Sequence, residues 1–236
     1  MRDAGKAHKV GQMPFACTER EAREAIALNY GTIAQVDEGV GRVLAELKRL
    51  GLERDTVVIF TSDHGDFMGD HQMLLKGPMH YEGIIRVPFI WSDPAAAPGL
   101  SSDALLQSID LAPSVLERAG IAPFNGIQGR SIMPLVRGNA MPLRDAVLIE
   151  DDRQRPYPGF DKRGRTRSLV TRTQRISIHD GGRWGELYDR GRDPDELVNL
   201  WDDPASRELR SEMLERLARA MLAAAEYTSP YPKHIA

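Results

Sequence analysis

Between Thr56 and Thr61 the chain reads Thr-Val-Val-Ile-Phe-Thr, β-branched or aromatic throughout and without alternation of polar and apolar positions. Such a run fits a strand covered on both faces, and that requirement constrains the fold more than any other feature. Upstream, Thr18 and Glu21 have capping-box spacing. Ile26, Tyr30, Ile33, Val36, Val40, Val43, Leu47 and Leu50 then recur at three- and four-residue steps up to Gly51. The pattern predicts an amphipathic helix from Glu19 to Leu50. Gly31, Gly39 and Gly41 each cost it ~1 kcal/mol relative to alanine, which predicts a kink or a close packing contact. Helix followed by doubly buried strand predicts a parallel α/β sheet, with Thr56 to Ser62 inside it and the helix packed against it.

The 236 residues are 42% hydrophobic and 28% charged, enough for a real core. A net charge of -3 leaves no basic excess to neutralise a phosphate backbone, so nucleic acid is excluded as a partner. No window approaches the ~18 continuous apolar residues of a membrane span. The first fifteen residues carry Arg2, Lys6 and Lys9 without an apolar core, unlike a secretory signal. The chain as given reads as soluble, with no membrane partner. Its compartment stays open between cytoplasm and, with a leader further upstream, periplasm or exterior. Cys17 is the only cysteine, which excludes an intrachain disulfide and a cysteine-based zinc site.

Further along, Val87 to Trp91 reads as a neighbouring strand and Asp110 to Ala119, backed by Gly120, as a short capped helix. Ala146 to Glu150 is a further strand, followed from Asp151 to Arg165 by a loop rich in charge, Pro and Gly. The expected organisation is an α/β domain over 1–150 and a small α+β subdomain over 151–236. In the latter, Ser168 to Thr171, Arg175 to His179 and Glu186 to Tyr188 suit an antiparallel meander. Asp203 and Pro204 open a last helix to Tyr227, with Leu209, Met213, Leu217, Met221 and Ala224 on one face.

The chemistry concentrates just past the central strand, in Thr61-Ser62-Asp63-His64-Gly65-Asp66-Phe67-Met68-Gly69-Asp70-His71. Open α/β sheets place ligands at that end of a strand. A carboxylate next to an imidazole suits a divalent ion with mixed oxygen and nitrogen ligation, and Gly65 and Gly69 let the backbone fold tightly around it. Local composition alone leaves a polar helix-capping turn equally open.

The wider pattern decides between them. Thr61 to Asp66, Gly69-Asp70-His71, Lys76, Glu82 and Arg86-Val87-Pro88 together resemble the sulfatase family of the alkaline phosphatase superfamily. So do Tyr30, Asp37 and Val40-Gly41 before them. After them come Asp110-Leu111-Ala112-Pro113, Ala119-Gly120-Ile121, Gln128-Gly129-Arg130-Ser131, Glu186-Leu187-Tyr188-Asp189, Asp193-Pro194, Glu196 and Asn199-Leu200. The resemblance implies a partial alkaline-phosphatase-like parallel or mixed sheet flanked by helices, with a small C-terminal antiparallel sheet plus helix. It implies Asp63 and His64 as ligands of a divalent metal, usually calcium, with manganese or zinc as alternatives. It also implies Lys76 as the residue that binds the sulfate group of a small-molecule sulfate ester. His71 and His80 are weaker pocket candidates, Glu82 and Arg86 read as an ion pair or clamp, and Trp184 and Tyr188 as core of the small sheet.

The chain departs from the family at the nucleophile. A formylglycine precursor lies in a Cys/Ser-x-Pro/Ala-x-Arg signature, but Cys17 is followed by Thr18, Glu19, Arg20 and Glu21, and no serine satisfies the pattern. The paired aspartates of the family's first strand also have no counterpart before Met13. No residue is therefore assigned as catalytic. The expectation is a sulfuric ester hydrolase whose metal and sulfate-contact half is this chain, inactive alone and completed by a missing N-terminal half or by a partner. The alternatives are a phosphonate monoester or phosphodiester hydrolase, or a truncated non-catalytic module.

Overall fold

The computed structural model describes residues 15–96, 98–139, 142–153, 156 and 163–225. The chain forms two compact units, 1–96 with 152–164 and 97–151 with 165–236. One passage between them thus lies beside the boundary expected at 150/151, while residues 97–151 group with the C-terminal sheet.

In the first unit, β1 (Phe15–Ala16) leads into α1 (Glu19–Arg49). The capping box is formed: Thr18 Oγ1 accepts from the Glu21 N–H at 3.3 Å, and the Glu21 carboxylate accepts from the Thr18 N–H at 2.8 Å. Helix-spaced pairs such as Arg23 with Glu19 and Arg20 with Glu24 add surface support. Gly31, Gly39 and Gly41 lie within this one helix, and a methyl group on any of them would touch nothing.

The packing expected of this helix is not observed. None of its residues is buried, and Leu28 and Val43 are 76% and 69% exposed. Nor is the strand after it parallel or doubly covered. β2 (Val58–Thr61) pairs antiparallel with β4 (Phe89–Ser92), Ile59 opposite Trp91, and Phe60 and Ile90 are exposed. An all-apolar run calls for cover on both faces but does not set the direction of its neighbour. Between these strands the chain forms a 3-10 turn (Asp70–Gln72), β3 (Met73–Leu74), which pairs with β1, and the single-turn α2 (Glu82–Ile85). Without a crossover helix the neighbour returns reversed. The buried part of this connection is a small cluster of Phe67, Met79 and Ile84, flanked by Met73, Tyr81 and Ile85.

The second unit holds α3 (Leu111–Arg118), α4 (Met133–Val136) and a four-stranded sheet in the order β5 (Ala146–Asp152), β6 (Arg165–Thr171), β7 (Gln174–His179), β8 (Gly185–Asp189). β6, β7 and β8 form the expected antiparallel meander, and β5 joins as a fourth strand. Leu169, Ile176 and Leu187 stand side by side across it and pack against Met213 and Leu217 of α5 (Arg207–Ala224). Asp203 accepts from the Ala205 N–H at 3.1 Å at the turn that opens this helix. Tyr227, its expected end, and most of the loop expected over Asp151 to Arg165 lie outside the described residues.

Side chains alternate across a sheet, so the rows Ser168, Ser177, Glu186 and Val170, Arg175, Tyr188 occupy the face away from the helix. Tyr188 is core there, under the Arg175 guanidinium at 4.7 Å from its ring centre. Trp184, expected in this core, is 55% exposed instead and stacks on His179. Its place at the turn before β8 gives it one packing partner rather than a covered face. Among the described residues no helix is long and apolar enough to cross a membrane.

Candidate metal and anion site

β2 ends at Thr61, and the next three residues turn back on themselves. Ser62 Oγ donates to the His64 carbonyl at 2.9 Å, and the His64 N–H donates to Asp63 Oδ1 at 2.9 Å. Gly65 then presses the loop onto α2. Its N–H donates to the Ile84 carbonyl at 2.8 Å, and a Cβ at this position would lie 1.9 Å from the Gly83 carbonyl oxygen. Only glycine permits that approach.

The loop closes through a short ladder, Phe67 N–H to the Leu75 carbonyl at 3.0 Å and Gly69 N–H to the Met73 carbonyl at 2.8 Å. Met68, His71, Gln72 and Leu75 all take positive φ within it. Such density of left-handed non-glycine backbone is costly and persists only where surroundings hold it, here the ladder and the buried Phe67. The closure returns Lys76 to His64 across twelve positions, with Lys76 Nζ 2.6 Å from His64 Nε2.

These contacts define the imidazole. His64 Nδ1 lies 2.8 Å from the Gly65 carbonyl, which only accepts, so Nδ1 carries the proton. A lysine ammonium only donates, so Nε2 is the lone-pair nitrogen. Asp63 Oδ2 lies 3.4 Å from Nε2, on a side chain that is 82% exposed. The His64 backbone N–H holds the Asp63 carboxyl below its ordinary range, and Lys76 acts in the same direction.

Asp63, His64 and Lys76 are thus together. The two donor atoms, 3.4 Å apart, have the separation of neighbouring ligands on one ion, which is about 3.4 Å for two calcium bonds of ~2.4 Å at a right angle or for two zinc bonds of ~2.1 Å at the tetrahedral angle. A ring held through Nδ1–H with Nε2 outward is the usual posture of a ligating histidine. Among the described residues no group of three or more His, Cys, Asp or Glu converges as a metal site, so these residues fit two ligands of a cation rather than a whole shell. His71 stacks on Tyr81 at 3.7 Å between ring centres, His80 is buried, and Glu82 pairs with Arg86 at 2.9 Å. Cys17 is buried, which pushes its thiol up and disfavours a thiolate.

Gly83, Leu75 and Phe67 shape the site without having been singled out in the sequence. A second glycine eighteen positions after Gly65 carries no local signal, because its partner is set by folding. Gly65→Ala is expected to force the two backbones apart, costing about 1–3 kcal/mol and weakening divalent-metal binding. Thermal unfolding and calorimetric metal titration check the two effects separately.

A Sulfatase family model matches residues 7–121, and a model described as N-sulphoglucosamine sulphohydrolase, C-terminal, matches residues 69–223. Arylsulfatase K of Xenopus laevis is 31% identical over 191 residues, 79% of this chain and 35% of that protein. Among solved structures, a 2-O GAG sulfatase superposes with TM-score 0.79 at 28% identity, over 88% of this chain and 45% of that one. The phosphonate monoester hydrolase of Agrobacterium radiobacter does so with TM-score 0.79 at 28% identity, over 88% and 43%. The chain therefore spans less than half the length of these relatives. The expected fold class, a mixed α/β arrangement of the alkaline-phosphatase-like kind, is the one it shares with them. One family model runs through the α1 and Asp63 segments and the other through the C-terminal sheet and helix, so the chain belongs to the sulfatase family.

Proposed function

We propose that this chain provides the metal and sulfate contacts of a sulfuric ester hydrolase, with the nucleophile and the remaining metal ligands supplied from outside these 236 residues. The observation that carries the proposal is the convergence of Asp63, His64 and Lys76 at the end of β2. Asp63 and His64 would hold a divalent cation, calcium first and manganese or zinc as alternatives. When bound, that cation supplies Lewis-acid polarisation of an ester oxygen. Lys76 would place an ammonium where negative charge grows on the sulfuryl oxygens as the S–O bond breaks, which favours the transition state over the ground state. Asp63 is solvent-facing, with its carboxyl held below the ordinary range by the His64 N–H, which favours the ionised form that ligates.

A second reading, phosphonate monoester hydrolysis, is favoured by the likeness to the Agrobacterium enzyme, since a tetrahedral phosphorus centre asks the same of these side chains. A substrate of the sugar-sulfate kind accords with a structurally similar protein solved in complex with its substrate D-glucosamine-2-N,6-O-disulfate.

The isolated chain with calcium is expected to stay at background on an aryl sulfate, because no residue of the sequence matches the nucleophile signature. Joined to an in-frame Cys/Ser-x-Pro/Ala-x-Arg segment in a host that makes formylglycine, it is expected to turn over the ester. There Asp63→Ala and Lys76→Ala are each expected to lower kcat about 10²–10³-fold. Comparison of aryl sulfate with aryl phosphonate separates the two readings. Turnover by the isolated chain that survives loss of Cys17 but not of Asp63 rejects the half-site proposal, as does turnover in the joined protein that neither substitution changes.

A further inference from the structure

His64 Nε2 has one lone pair, and two claims on it are incompatible. Lys76 Nζ donates to it at 2.6 Å, and a cation ligated there would use the same lone pair at ~2.1–2.4 Å. Two positive groups cannot share that position. We propose that Lys76 gates the cation site: it holds Nε2 until a divalent ion takes the lone pair, and its release then delivers the ammonium to the anionic group of the ester.

Three features support a gate rather than a static contact. First, His64 cannot turn to offer another nitrogen, because Nδ1–H is tied to the Gly65 carbonyl and Gly65 is pressed against Gly83. Metal and lysine must therefore compete at one atom. Second, the backbone beside Lys76 is fixed, and the hydrogen bond that its side chain makes among the described residues is the one to His64 Nε2. Phe67 N–H fixes the Leu75 carbonyl, and a lysine stem leaves Nε2 by rotation of its own four bonds, without any change in the loop. Third, Asp63 Oδ2 is 3.4 Å from Nε2, so a divalent ion at Nε2 gains a carboxylate that the ammonium leaves unused as a direct hydrogen-bond partner. The incoming ion is favoured at the shared position and the lysine is the group that moves.

The consequence is an order and a trade. Metal binds against Lys76, and the anion binds with Lys76 only after the metal has freed it. The lysine therefore weakens metal affinity while it strengthens anion affinity. A lysine that merely contacts sulfate would leave metal affinity to general charge repulsion and would keep the same surroundings with and without metal.

This inference rests on the reading of Asp63 and His64 as metal donors, and two measurements on the 236-residue chain separate them. Calcium and manganese are titrated calorimetrically into the wild-type chain, Lys76→Met and Asp63→Ala after chelator treatment. Lys76→Met is expected to bind about ten-fold more tightly, in line with the release of one charge-assisted hydrogen bond, and Asp63→Ala to lose binding. Acetic anhydride labelling of Lys76, read by peptide mass spectrometry against exposed Lys48, is expected to rise several-fold on metal saturation. Unchanged or reduced labelling of Lys76 under saturating metal overturns the gate, even if Lys76→Met binds more tightly through charge removal alone. Equal or weaker metal binding by Lys76→Met also overturns it, while Asp63-dependent binding leaves the metal reading standing. If neither the 236-residue chain nor Lys76→Met binds, the same titration is run on the protein joined to the nucleophile-bearing segment, where absence of binding in both overturns the two together.

Discussion

Replacement of Arg175 by methionine is expected to destabilise the C-terminal unit by about 3–5 kcal/mol. Arg175 is fully buried on the sheet face away from α5, where Nε donates to Glu196 at 2.6 Å and Nη1 donates to Glu186 at 2.8 Å and to Ser177 Oγ at 2.7 Å. Burial works against its charge, but the Glu196 and Glu186 carboxylates outweigh that cost. Methionine fills most of the volume and supplies no donor, so two buried carboxylates lose their shared counter-charge. The penalty is that of two buried carboxylates left with weaker partners, Arg190 Nε at 3.8 Å from Glu196 and His179 Nε2 at 4.0 Å from Glu186. Denaturant unfolding followed by far-UV circular dichroism measures it. Adding Glu186→Gln and Glu196→Gln to Arg175→Met is expected to recover much of the loss, because the buried negative charges are then gone. A single substitution costing under about 1 kcal/mol would show that water or relaxation reaches this face.

A loss of similar size, about 3–5 kcal/mol, is expected from Asp110→Asn. Asp110 is buried at the turn before α3, bound by both terminal nitrogens of Arg144, one of them at 2.7 Å, and by the N–H groups of Gln107 and Arg130, each at 2.8 Å. An asparagine keeps one acceptor oxygen but turns an amide N–H₂ toward a guanidinium that only donates. The same site sets an acid limit. Burial pushes the Asp110 carboxyl up, but the hydrogen bonds from Arg144, Arg130 and Gln107 together hold it below its ordinary value. A carboxyl depressed by folding binds protons more readily in the unfolded chain. Its stabilisation is therefore complete above the ordinary carboxylate pKa of about 4 and is lost as pH falls through the folded value. Thermal unfolding between pH 7 and pH 3 is expected to show the wild-type advantage over Asp110→Asn shrinking at the acid end. A gap that stays constant or widens toward pH 3 would contradict this assignment of charge.

What was legible in the sequence is what neighbouring residues decide among themselves. Thr18 and Glu21 close a capping box because three residues separate them, and the three- and four-residue spacing from Ile26 to Leu50 makes a helix whatever surrounds it. Alternation and short turns likewise specify the meander from β6 to β8, and the stripe on α5 specifies the face that covers Leu169, Ile176 and Leu187. Periodicity names a face but not its partner. That is why α1 forms as read yet buries none of its residues, and why β2 is a strand as read yet meets β4 antiparallel. The site divides the same way. Asp63 and His64 are adjacent in the chain, so their pairing was readable there. Lys76 reaches His64 only because left-handed Leu75, the Phe67 ladder and the contact of Gly65 with Gly83 bend the loop back. The sequence by itself determined the long helices, the strand after the first of them and the meander, and it set Asp63 beside His64. Only tertiary structure decided strand direction, the burial of Arg175 and the meeting of Lys76 with His64, since each depends on contacts between residues that local spacing does not relate.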